Sequence, residues 1–290
     1  MLFLCQIYFA FKKIFKWNYV IFELKISVFN DYGGEMDNEK LKQIHNKLVS
    51  GVMDYFKKNR VKKAVIGLSG GIDSSLSARL VADAIGKENI HGLIMPLKGL
   101  SSEENIQDAI EFCTLNGINY SLVFINDFVK EFKKLNWKQN KVAEMNTAAR
   151  ARAVILYNYA NTHDALVIGT SNKTEIMLGY FTKYGDGAVD IEVIGDLFKT
   201  EEKELAKFLN IPKKIINKVP TAELYHGQTD EGELGVGYDE LDRILKLYVN
   251  GKSVEDISNE GFDKKKVKNI LQRIEANKHK LEMPTTLKVF

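Results

Sequence analysis

Six residues, Ser69-Gly70-Gly71-Ile72-Asp73-Ser74, lie between the apolar run Ala64-Val65-Ile66-Gly67-Leu68 and a helical pattern through Leu76, Leu80, Val81 and Ile85. A strand that passes through a small-residue loop into a helix commits the chain to a βα unit, with the loop at the carboxyl end of the strand. Glycines let backbone N–H groups approach an anion closely, and the helix N-terminus adds partial positive charge. Asp73 is out of place in a plain phosphate cradle, because a carboxylate repels phosphate unless a cation sits between them. The loop therefore predicts a nucleotide held partly through Mg²⁺. It is not a Walker A motif, which needs Gly-x-x-x-x-Gly-Lys-Ser/Thr. The Gly251-Lys252-Ser253 run lacks the upstream glycine, since that position is Lys246, and it follows a helix. It reads as a helix C-cap followed by an N-cap.

Around the loop, apolar runs alternate with helical patterns. Strands are expected over 61–68, 90–97, 120–125 and 165–169. Helices are expected over 74–85, from Ser101-Ser102-Glu103-Glu104 to Leu115, and over 142–160. This alternation predicts an α/β fold with a parallel sheet flanked by helices. Ligands in such sheets sit beyond the strand carboxyl ends. The Ser69 loop, Pro96-Leu97-Lys98 and Gly169-Thr170-Ser171 all fall there. After Tyr184 the pattern becomes helical. Gly185-Asp186-Gly187 reads as a turn, 200–209 as a helix stopped by Asn210 and Pro212, and 238–249 and 264–278 as amphipathic helices. Residues 229–237, with three glycines and three acids, read as a mobile loop and candidate lid.

With 41 basic and 38 acidic residues, the net charge of +3 gives no argument for nucleic acid. Cys5 and Cys113 are far apart and form no CxxC, which argues against a disulfide framework or zinc site and fits a reducing cytoplasm. The first 30 residues are rich in Phe, Tyr and Ile, but Lys12 and Lys13 interrupt the apolar run before it could span a membrane. No small-residue cleavage site follows. Met36 precedes Asp37-Asn38-Glu39, a helix start, and Leu41, Ile44, Leu48, Val52 and Phe56 then repeat at helical spacing. The expectation is one domain over 36–290, a native start at Met36, and an extension over 1–35 without catalytic role. The alternative reading makes 1–35 an extra packing segment or a weak membrane-surface anchor.

Ser-Gly-Gly-x-Asp-Ser resembles the loop of the N-type ATP pyrophosphatases, which bind ATP and release pyrophosphate by attack at the α-phosphate. Further motifs follow in order: Asn146-Thr147-Ala148-Ala149-Arg150-Ala151-Arg152, Gly169-Thr170-Ser171-Asn172-Lys173-Thr174-Glu175, the stretch from Gly179 through Gly187, Pro220-Thr221-Ala222, Asp230-Glu231-Gly232-Glu233-Leu234-Gly235 and His279-Lys280. Together they resemble the ammonia-dependent NAD synthetase family over most of the chain. The resemblance implies a Rossmann-like fold of the adenine nucleotide α-hydrolase type. It also implies a homodimer, with the dinucleotide near the subunit interface.

That resemblance also implies roles. Gly67, Leu68, Ser69, Gly70, Gly71, Ile72, Asp73, Ser74, Thr170, Lys199 and Thr221 would meet ATP. Asp73 and Glu175 would hold Mg²⁺ and, with Lys199, act in catalysis. Arg150, Lys183, Asp190, His279 and Lys280 would meet deamido-NAD. Taken alone, Glu175 reads as a solvated acid at a helix start, Thr170 as an N-cap, and each lysine as a solvated charge. Arg150 and Arg152 are two apart on a helix and point to different faces. The family pattern favours Arg150 at the substrate, leaving Arg152 to pack or pair. Many bacterial members carry a histidine between the positions of Gly169 and Glu175, where this chain has Ser171-Asn172-Lys173-Thr174. The adenine and phosphate contacts there are not carried over.

The implied reaction converts deamido-NAD to NAD through an acyl-adenylate, releasing pyrophosphate and then AMP. No stretch reads as a glutaminase domain or as a Cys/Glu/Lys nucleophile set, so ammonia is the expected nitrogen donor, with a separate glutaminase left open. The competing readings are a GMP-synthesising or tRNA-modifying enzyme of the same loop superfamily, and a non-catalytic adenine-nucleotide sensor. The tRNA-thiolating reading would want paired cysteines or a basic RNA-binding face. Two metal carboxylates argue against the sensor.

Overall fold

Five parallel strands, burying apolar side chains on both faces, explain why the sequence shows continuous apolar runs instead of strict alternation. A computed structural model describes residues 36–221, 223, 225 and 227–289. The expected extension over 1–35 lies outside the described residues. Helix α1 (Asn38–Asn59) leads into β1 (Lys63–Gly67), α2 (Ile72–Ile85), β2 (Ile90–Ile94), α3 (Glu103–Asn116), β3 (Asn119–Leu122), α4 (Asn126–Phe132), α5 (Lys141–His163), β4 (Ala165–Gly169), α6 (Lys173–Leu178) and β5 (Ile191–Glu192). The helices α7 (Lys199–Phe208), α8 (Lys213–Ile216), α9 (Asp230–Leu234), α10 (Tyr238–Val249), α11 (Val254–Asn259) and α12 (Lys264–Asn277) follow.

The strand order is β3-β2-β1-β4-β5, and every pairing is parallel. From β1 the chain moves outward through β2 and β3, then returns to place β4 on the other side of β1. The carboxyl ends of β1 and β4 therefore flank the point where strand order reverses, the usual place for a ligand crevice. The Ser69 loop and Gly169-Thr170-Ser171 sit there.

Successive side chains of β1 serve opposite layers. Ile66 packs with Val52 and Phe56 of α1, Leu76 and Leu80 of α2, Phe112 of α3 and Leu205 of α7. Val65 packs with Leu93, Val167 and the α5 residues Ala148 and Ala160 on the other face. A third cluster joins Leu178 and Phe198 to Tyr238, Leu241, Ile244, Ile257, Val267 and Ile270, so the helical C-terminal part packs on α6 at the strand carboxyl ends. Cys113 is free and buried in the first cluster, where burial pushes its thiol up to about 11. It is a packing residue.

Three local differences from the sequence reading have plain causes. Strand β2 stops at Ile94, and the Pro96 just beyond carries no N–H to extend the ladder. Strand β5 is two residues long, too short for any periodicity to show. The stretch 229–237, expected as a loop, contains α9, whose N-cap Thr229 accepts from Gly232 N. The Gly251 turn, at φ +80°, and the Ser253 cap of α11 are as read. Among the described residues no helix is long and apolar enough to cross a membrane.

Candidate active site

The loop after β1 is wired to itself. Ser69 N donates to Ser74 Oγ at 3.3 Å, Gly71 N to Ser69 Oγ at 3.2 Å, and the Ser75 hydroxyl to Gly71 O at 2.9 Å. Gly70 adopts φ +80°, and a Cβ there would run into the Asn105 carbonyl of α3, so only glycine fits. Lys218 Nζ donates to Gly70 O at 3.2 Å and also contacts Asn105 Oδ1 and Asp108. The outer edge of the loop is thereby clamped to α3.

Asp73 occupies the first turn of α2. Lys199 Nζ donates to both of its oxygens, at 2.7 and 2.6 Å, and Asn172 Nδ2 to Oδ1 at 2.8 Å. Asn172 is also the N-cap of α6 in a capping box. Its Oδ1 accepts from Glu175 N at 3.0 Å, and Glu175 Oε2 accepts from Asn172 N at 3.2 Å. One side chain thus ties the two candidate metal carboxylates together. Glu202, fully buried on α7, lies 3.2 Å from Lys199 Nζ, and its Oε1 has no hydrogen-bond partner.

Acids outnumber cations in this knot. Burial is the largest single influence on Asp73 and opposes its ionisation, but the Lys199 charge together with hydrogen bonds from Glu202, Lys199 and Asn172 keeps the carboxyl below its ordinary value. Burial, then the Asp73 charge, push Glu175 well above the carboxylate range, and the same two causes raise Glu202. Lys199 is raised despite burial, by Asp73 and Glu202. A buried set of hard oxygens with an excess of negative charge and one orphan carboxylate oxygen suits a divalent cation. Among the described residues no three His, Cys, Asp or Glu side chains form a closed metal cage.

Asp73 and Glu175 open onto a cavity of about 790 Å³ at the strand carboxyl ends. Gly67, Leu68, Ser69, Gly71, Ile72 and Ser74 line it, as do Thr170, Thr221 and Lys280. Gly70 turns toward α3 instead. Lys199, expected at ATP, is fully buried behind Asp73 and does not reach the cavity wall. The residues expected at deamido-NAD divide. Lys280 lines the cavity and donates to Gly179 O at 2.6 Å and Phe181 O at 3.1 Å. Arg150, Lys183 and His279 form a chain outside it. Arg150 Nη2 donates to Lys183 O at 3.2 Å, and Lys183 Nζ to the His279 and Glu282 carbonyls. Asp190 accepts from Val167 N at 2.7 Å, which fixes it beside β4. Arg152, expected to pack or pair, does donate to Met95 O at 2.9 Å, yet it also lines the cavity.

Sequence comparison decides the family. The NAD synthase profile matches residues 44–284. The chain belongs to the NAD synthase family. An NH(3)-dependent NAD(+) synthetase of Archaeoglobus fulgidus is 46% identical over 225 residues, 78% of this chain and 88% of the relative. Among solved structures, the NMN synthetase of Francisella tularensis superposes with a TM-score of 0.76 at 34% identity, covering 85% of this chain and 98% of its own. The NH3-dependent NAD synthetase of Campylobacter jejuni gives 0.74 at 32%, covering 87% and 100%.

Several residues of this NAD synthase family site escaped sequence reasoning: Asn172, Glu202, Asp230, Arg152 and Lys218. Asn172 had a readable signal, since Asn172-x-x-Glu175 is a capping-box pattern. Asp230 lay within the Asp230–Gly235 motif but without an assigned role, and Glu202 and Lys218 had no signal, because charged residues on amphipathic stretches look alike until the fold buries one of them.

Proposed function

We propose that this protein amidates deamido-NAD to NAD with ammonia, converting ATP to AMP and pyrophosphate. The observation that carries this reading is the Asp73–Asn172–Glu175 linkage at the sheet's switch point, open to a cavity that the Ser69 loop also lines. A free carboxylate is a poor acyl donor. Its attack on the ATP α-phosphate, with loss of pyrophosphate, gives an acyl-adenylate that ammonia can open. The chain's part is placement and charge. Backbone N–H groups of the loop after β1, with the N-terminus of α2, face the leaving pyrophosphate. Asp73 and Glu175 are the residues that would hold Mg²⁺, which when bound offsets phosphate charge. Lys199 keeps Asp73 ionised and ready for that ion. Helix α9, near the cavity mouth, would help exclude water, which otherwise hydrolyses the adenylate.

The chain Arg150–Lys183–His279 lies outside the cavity and would carry the distal part of a dinucleotide. Val154 is exposed one turn of α5 from Arg150, and further exposed apolar side chains are Phe128 and Phe132 of α4 and Trp137 between α4 and α5. Such a face fits a second copy of this chain, as the family resemblance implies.

An assay with ATP, Mg²⁺, ammonia and either deamido-NAD or its mononucleotide counterpart tests the reading. The mononucleotide arm matters because one of the structural relatives is named an NMN synthetase. NAD, AMP and pyrophosphate in equal amounts from the dinucleotide are expected. Turnover of the mononucleotide alone, or of neither, overturns the reading. Repeating the assay with glutamine and no ammonia should give no NAD.

A further inference from the structure

We propose that Arg152 binds an oxyanion of a reacting substrate. Small residues bring α5 close to the cavity: Ala148, Ala149, Ala151 and Ala153 are all buried. Arg152 Nε–H donates to Met95 O at 2.9 Å, which anchors the guanidinium at the carboxyl end of β2. Among the described residues, no hydrogen bond or ion pair engages its two terminal amino groups, and the side chain lines the cavity. An arginine stays charged even where its surroundings disfavour the charge, so this fork needs an anion.

The acids that act on it are Asp186 and Glu223. Asp186 is engaged by Thr182 N at 3.0 Å. Glu223 also lines the cavity, and its Oε1 accepts from Ser102 N, the N-cap amide of α3, at 3.2 Å. Among the described residues neither carboxylate forms an ion pair with the Arg152 fork, which leaves it open to a phosphate oxygen of ATP or to the nicotinate carboxylate, and both offer the same chemistry to an arginine.

The proposal rests on reading the cavity as the adenylation site. Wild-type enzyme that makes no NAD would defeat that reading separately, since the decisive measurement is binding. Calorimetric titration with MgATP alone and with deamido-NAD alone would be run on wild type, R152Q and R152K. R152Q should weaken one ligand by about 10- to 100-fold, with R152K recovering part of the loss. Which ligand responds identifies the oxyanion. If R152Q binds both ligands within about twofold of wild type and only melts earlier, Arg152 merely braces Met95 and the proposal fails.

Discussion

Asp73 and Glu175 are neighbours with opposite electrostatic fates. Lys199 lies against both oxygens of Asp73 and helps to keep it charged, whereas at Glu175 burial and the charge of Asp73 outweigh Lys199 and drive the carboxyl toward neutrality. A site in that state awaits positive charge, and stability and activity should therefore move in opposite directions. Glu175→Gln keeps the shape while removing an acid, so the ligand-free protein should melt at an equal or higher temperature. The same change should lower kcat by about a thousandfold, by analogy with losing a preorganised electrostatic partner. Calorimetry and the NAD assay on one preparation check both. A second carboxyl, Glu192 at the end of β5, is pushed up to about 8 by burial, although it accepts a hydrogen bond from Ser171 N. Its folded pKa lies above the ordinary value near 4.3, so between those two pH values the folded state binds more protons than the unfolded one. Stability should fall as pH rises through that window. Glu192→Gln should flatten the fall, which melting curves from pH 5 to pH 8.5 would show.

Helix α6 is only six residues long, and its start is fixed by Asn172, whose Oδ1 caps the helix while its Nδ2 holds Asp73. Asn172→Ala should cost about 1 kcal/mol from the lost cap, read by urea denaturation, and should also slow adenylation because Asp73 loses a donor. Asn172→Asp keeps the cap but turns a carboxylate toward Asp73, and should slow the reaction further with less loss of stability. Helix α9 is placed by side chains from other elements. The Tyr180 hydroxyl donates to Glu233 at 2.6 Å and lies 3.2 Å from Asp230, and Tyr238 donates to Asp230 at 3.1 Å. Tyr180→Phe should loosen α9 and raise AMP above NAD as the adenylate meets water; a ratio staying at one to one would deny α9 that role. These two helices mark how far the sequence is legible. The parallel sheet was readable because strands buried on both faces must be apolar throughout, and the Ser69 loop because its glycines and aspartate fit one chemistry. Glu175 was readable through family resemblance, and its capping box is a local pattern. The fold of 229–237 was not, because three tyrosine hydroxyls from elsewhere (Tyr180, Tyr225 and Tyr238) satisfy its acids. Nor was the cavity side of Arg150-Ala151-Arg152: helical spacing says the two arginines diverge, but only the packing of α5 says which one faces inward.

At the scale of the molecule, the cavity holds the reacting end of the substrates, while the Arg150–Lys183–His279 chain sits beyond its mouth on open surface. A dinucleotide long enough to touch both would leave its far half in water unless something covers it. Apolar side chains on α4, α5 and the segment between them are unusually exposed for their type: Trp137 at 61%, Val154 at 66% and Phe128 at 47%. Val154 lies one turn of α5 from Arg150, so a second copy that buries Val154 also closes over Arg150. Association would then govern substrate affinity more than chemistry. Trp137→Glu places a charge on that face, far from Asp73 in sequence and outside the cavity lining. It should shift sedimentation from dimer to monomer, and it should raise KM for deamido-NAD by about tenfold or more, with a smaller change in KM for ATP. A monomeric variant with an unchanged KM for deamido-NAD would mean that one subunit binds the whole dinucleotide. A wild-type chain that sediments as a monomer would mean that this face serves some other partner.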